Sequence, residues 1–111
     1  MLNRYETVFI LTPVLSEEQT KETVNKFQTL VQAQAELLQK EEWGIRKLAY
    51  AINKKTTGFY YLFEFKADPV FIQKLETEYK RDERVMRYIT VKMDKDHIEF
   101  AERRRKKKDA K

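Results

Sequence analysis

The chain has 111 residues, the length of one domain, with enough apolar residues to bury a core without staples. It has no cysteine and two glycines, which excludes a disulfide framework, a thiolate zinc site, a cysteine nucleophile and a glycine-rich dinucleotide fingerprint. The formal charge of +5 is unevenly placed: Arg103 to Lys111 holds seven positive charges and one negative, leaving 16 positive and 17 negative over residues 1–102.

Tyr5 to Leu11 is short, β-branched and aromatic, and ends at Thr12-Pro13, which predicts a strand. The same dipeptide interrupts an apolar stretch too short for a cleavable signal, and no apolar run reaches the roughly 20 residues of a membrane span. Together with the missing cysteines, this predicts a cytosolic chain. Ser16-Glu17-Glu18-Gln19 has the form of a capping box. Beyond it, Val24, Phe27, Leu30, Val31, Ala35 and Leu38 recur at three- and four-residue steps, predicting an amphipathic helix of about six turns. Trp43 to Ile52 reads as a second strand with Gly44 marking a bulge. Asn53 to Gly58 then reads as a hairpin loop.

Phe59 to Lys66 is the clearest strand, and Asp68-Pro69 follows as N-cap and first helical residue. Ile72, Leu75 and Tyr79 form the buried stripe of that helix, and Val85 to Met93 is the fourth strand. The order β-α-β-β-α-β predicts a ferredoxin-like α+β sandwich over residues 1–94: a four-stranded antiparallel sheet with two helices on one face and the other face open. Residues 95–111 read as a flexible basic tail, of which only His97 to Ala101 carries a trace of helical spacing. Its cations suit a polyanion such as nucleic acid.

An RNA-recognition motif shares this fold and must be tested first. Such a module stacks bases on aromatics of its central strands. Phe59 and Tyr61 stand at stacking positions, but Thr57, Tyr60 and Glu64 miss the third-strand pattern. Alternation puts Phe59, Tyr61, Phe63 and Phe65 on one face, Glu64 and Lys66 on the other. Opening the aromatic face would turn the two charges towards the helices, at several kcal/mol each if unpaired. The aromatic face is therefore predicted to be core.

Trp43-Gly44-Ile45-Arg46-Lys47-Leu48-Ala49-Tyr50-Ala51-Ile52-Asn53-Lys54, followed by Gly58-Phe59, resembles the signature of the bacterial small-subunit ribosomal protein S-six family. Tyr5-Glu6, the aromatic third strand and Arg81-Asp82 leading to Val85-Met86-Arg87 fit the same family, so the resemblance covers residues 1–93. The family often has proline where Ala51 stands, and some members end in an acidic, glutamate-accepting tail that this basic one does not match. The resemblance implies a ferredoxin-like fold and a non-enzymatic, structural role in the small ribosomal subunit. It also implies binding to the central domain of the small-subunit ribosomal RNA together with ribosomal protein S-eighteen. No cofactor and no small-molecule substrate are implied.

RNA contact is expected from cations on loops and strand ends. The candidates are Arg4, Arg46, Lys54, Lys55, Arg81, Arg84, Arg87 and Lys92, with Arg103, Arg104 and Arg105 in the tail. Tyr5, Trp43 and Tyr50 are candidates for the protein partner's interface. Arg81 also fits a helix C-terminus, and Arg46 an ion pair with Glu41 or Glu42. Catalytic and metal roles find no residues: Asp94-x-Asp96-His97 sets its side chains at poor spacing for a ligand set, and the glutamate pairs lack an activating partner. The rival readings are a ferredoxin-like sensor module that oligomerises through its open face and a stand-alone RNA-recognition module.

Overall fold

A computed structural model describes residues 2–52 and 54–109, with side-chain surroundings through Arg104. The elements run β1 (Asn3–Leu11), α1 (Glu17–Gln34), β2 (Glu36–Ile52), β3 (Lys55–Ala67), α2 (Pro69–Arg81), β4 (Val85–Lys92) and α3 (Lys95–Asp109). The sheet order is β2-β3-β1-β4, and every neighbouring pair is antiparallel. This is the ferredoxin-like arrangement.

Local chemistry accounts for the helix starts. Ser16 Oγ accepts from the Gln19 amide at 3.1 Å, and Gln19 Oε1 accepts from the Ser16 amide at 2.9 Å, closing the capping box. Asp68 accepts from the Val70 amide at 3.0 Å, with Pro69 beginning α2. Phe27 and Val31 of α1 and Phe71, Leu75 and Tyr79 of α2 pack onto Tyr5, Phe9, Leu11, Tyr61, Phe63 and Phe65. The aromatic face is thus the core. Inside it the Tyr79 hydroxyl lies 3.1 Å from Thr7 Oγ1, itself 2.9 Å from Thr90 Oγ1. Burial pushes the Tyr79 hydroxyl far above the usual tyrosine range, so it stays a neutral hydrogen-bonding group.

Three expectations are corrected. The first helix ends at Gln34 rather than running on through Leu38. Ala35 is already extended, and the chain turns directly into β2, where Leu37 pairs with Phe65. Backbone partners along the 13-residue β3 thus claim residues that continue the helical period. The hairpin is also tighter than a 53–58 loop. β3 starts at Lys55, paired with Ile52, and Lys54 takes a left-handed φ of 65°; Asn53 lies outside the described residues.

The third correction is the largest. The sheet's second face is covered at both ends, and the segment from Lys95 to Asp109 is helix rather than a flexible arm. The Met93 amide donates to the Arg4 carbonyl at 2.8 Å, which turns the chain back across the sheet. α3 then lies over the end of the face that carries Arg4, Glu6, Leu62 and Glu64, with its own Ala101 buried. Glu64 is 0 % exposed although it points away from the aromatic core. Its charge is tolerated because Arg4 pairs with it through both Nε and a terminal nitrogen.

Candidate RNA and protein interface

The β2–β3 hairpin covers the other end of the second face. Pairing breaks between Lys47 and Ile52, so the tip can bend away from the sheet plane. The bend carries Tyr50 from one outer strand to Arg87 on the opposite one. The Arg87 guanidinium donates to the Tyr50 hydroxyl at 2.6 Å and lies 5.6 Å from the ring centroid. At the base of the arm Gly58 lets β3 lie close against β1, since a Cβ there would collide with Ile10. Beneath the tip runs a groove of about 270 Å³, with Val8, Ile10 and Ile89 on the sheet side and Leu48, Tyr50 and Ile52 on the hairpin side. Tyr50 and Ile89 keep 63 % and 60 % of their surface exposed, so the groove is apolar and reachable.

Of the residues expected at the partner interface, Tyr50 forms the groove's rim. Trp43 is half-buried on the same face, stacked on Tyr60 at 6.3 Å, and donates from Nε1 to Glu41 at 3.1 Å. Tyr5 is not available. Its parity with Phe9 and Leu11 puts it in the core, stacked on Phe65 at 5.9 Å.

The expected RNA-contact residues divide by what they already hold. Arg4 is committed to Glu64 and reaches Glu102 at 3.6 Å. Arg84 is committed to Asp82, donating from Nε at 2.9 Å and a terminal nitrogen at 2.8 Å. The same carboxylate accepts from the Arg84 amide and from Lys26 at 3.0 Å. The bond from Arg84, aided by Lys26, holds Asp82 well below the usual carboxylate range. Arg84 is therefore not a free member of a cluster with Arg81 and Arg87.

Arg81 is exposed at the end of α2, 3.8 Å from Glu78. Lys54, at the hairpin tip, and Lys92, at the end of β4, are exposed, while Lys55 is half-buried. Arg46 is exposed and donates to the Trp43 carbonyl at 3.2 Å, not to Glu41 or Glu42. Arg103 is exposed on α3, Arg104 pairs with Glu41 at 3.1 Å, and the Arg105 side chain lies outside the described residues. Sequence reasoning missed Glu41, Glu64 and Asp82 as anchors of these arginines: Arg4–Glu64 and Arg104–Glu41 join residues far apart in the chain, and Asp82, two residues from Arg84, carries no pattern that marks it as buried. Among the described residues no cluster of His, Asp and Glu could hold a metal: Asp94 instead caps the His97 amide at 2.8 Å, and His97 faces Glu6 at 3.6 Å.

Comparison with known proteins agrees with the fold. The sequence model of the family described as Ribosomal protein S6 matches residues 4–92. The small ribosomal subunit protein bS6 of Christiangramia forsetii is 60 % identical, with 96 % of each chain covered. That of Parabacteroides distasonis is 59 % identical, covering 99 % of this chain and 94 % of its own. The crystal structure of 30S ribosomal protein S6 from Thermotoga maritima superposes with a TM-score of 0.81 at 25 % identity, over 97 % of this chain and 99 % of that one. With its sheet order, its bulged Trp43-to-Lys54 arm and near-full-length relatives in accord, the chain belongs to the ribosomal protein S6 family, structural and non-enzymatic proteins of the small ribosomal subunit.

Proposed function

We propose that this chain works in the cytoplasm as a structural constituent of the small ribosomal subunit, binding the central domain of its ribosomal RNA together with ribosomal protein S-eighteen. The observation that carries the reading is the groove under the hairpin. An exposed apolar trough rimmed by Tyr50 and Arg87 suits a protein segment, since nucleic acid presents phosphates that such a floor cannot satisfy. RNA is left to the exposed cations outside it: Arg46, Lys54, Arg81, Lys92 and Arg103, with Lys55 beside the tip. A body near −1 neutralises few phosphates by itself, which makes a basic protein partner part of the binding unit.

The test is affinity for a central-domain RNA fragment, measured with and without the partner protein. The chain alone should bind weakly, and the partner should tighten binding by at least about tenfold, or about 1.4 kcal/mol. Ile89→Asp, which puts a charge on the groove floor, should abolish that gain while the chain stays folded. Tight binding by the chain alone, unchanged by the partner, would refute the reading.

A further inference from the structure

The second face carries an electrostatic peculiarity under α3. Glu6 and Glu64 stand directly opposite each other in the β1–β3 pair, a like-charge arrangement that destabilises a ladder. Arg4 answers Glu64 from within the sheet. α3 brings further polar groups to this end of the face: His97 faces Glu6, Glu102 meets Arg4, and Arg104 reaches Glu41 on β2. The apolar side of that contact is slight. Ala101 is buried and Ile98 half-buried, while Phe100 points outward, 62 % exposed.

α3 is also poorly equipped to persist by itself. Residues 103–108 are an unbroken run of six cations, so like charges recur at helical neighbour positions. A helix of 15 residues is marginal in water even without that repulsion. Its helical state therefore draws on the sheet's carboxylates, and its cations are the groups a polyanion would take.

We propose that α3 is a releasable clasp: RNA phosphates compete with Glu41 and its neighbours for Arg104, so RNA binding at the basic run lifts α3 off the sheet and unwinds it. This rests on the reading of the chain as an RNA-binding protein. The exchange is close to balanced, since one charge-assisted pair is traded for another and counterions leave the RNA. By linkage, whatever loosens α3 from the sheet strengthens the hold of RNA on the basic run.

Trp43, the only tryptophan, supplies an internal reporter, because it donates to the same Glu41 carboxylate that Arg104 holds. The full chain would be titrated with fluorescently labelled oligouridine, reading RNA anisotropy, Trp43 emission and amide exchange over residues 97–104. Saturating RNA should lower protection there by about tenfold or more. Trp43 emission should move to that of the RNA-free Arg104→Ala variant, which is already released. RNA that binds with protection unchanged or raised overturns the clasp and leaves RNA binding standing. Failure of oligouridine to bind overturns the clasp, which needs RNA on the basic run, and leaves the partner-assisted reading to its own test. Unaltered exchange over 97–104 in Arg104→Ala would show that the Glu41 pair does not hold the helix, and would also overturn it.

Discussion

Asp82, the C-cap of α2, ties α1 to the turn that leads into β4 through one carboxylate, taking Lys26 from the helix and Arg84 from the turn. Arg84→Ala should cost about 1–3 kcal/mol, since it strips a buried carboxylate of its main donor; urea melts would read it. Asp82→Asn should cost a similar amount, and its pH profile tells the two apart. A carboxyl held below its ordinary value of 3.8 contributes stability that is fully present above that value and is lost as pH falls through the lower folded value. The parent's melting temperature should therefore fall steeply in acid, while Asp82→Asn shows a shallower acid limb. At Gly58 the constraint is steric. Gly58→Ala drives a methyl into Ile10 and should cost about 1–3 kcal/mol, read the same way. Strand parity already placed Phe63 and Phe65 in the core from the sequence; the same parity, carried to Tyr5, marks that ring as buried. The pairs Arg4–Glu64, Arg84–Asp82 and Arg104–Glu41 were not legible, because two of the three join residues about sixty positions apart and no local pattern announces them.

The two-fold β-α-β order and both helix starts were legible because caps and periodicity are local signals. Boundaries failed where two elements shared a pattern. Leu38 continues the apolar spacing of α1, yet it falls in β2, at the bulge beside Leu37, which pairs with Phe65. The fate of the sheet's second face was equally hidden. Whether a charged C-terminal segment folds back depends on complementary carboxylates that only the assembled sheet collects. The hairpin tip is the other late arrival, and Arg87 is what holds it. Arg87→Ala should raise amide exchange over residues 48–52 several-fold, since the tip then hangs on its apolar contacts alone. Global stability should move by no more than about 0.5 kcal/mol, because the arginine is exposed. Early melting would instead make the arm part of the cooperative core.

Over the whole molecule the charge arithmetic still separates a nearly neutral body from a strongly basic end. Deleting residues 103–111 should flatten the salt dependence of RNA affinity, by up to roughly 0.7–0.9 in log–log slope for each phosphate no longer neutralised. Binding to unrelated RNA should suffer most, while discrimination of the correct site survives in the folded body. Affinities for cognate and scrambled RNA at several salt concentrations decide it, and an unchanged slope would leave the basic run without a role in RNA binding. The long outer strand has a consequence of another kind. β2 offers 17 residues of backbone along a sheet margin, a template onto which a neighbouring molecule could add its own strand. Its register slips between Leu37 and Gln39, again between Glu42 and Gly44, and again beyond Lys47, and Gly44 kinks it at a φ of 75°. Exposed Lys40, Glu42, Arg46 and Lys47 line the same margin. No straight, uncharged stretch survives for a foreign strand to copy, so the bulges that aim the arm also keep one molecule from polymerising onto the next.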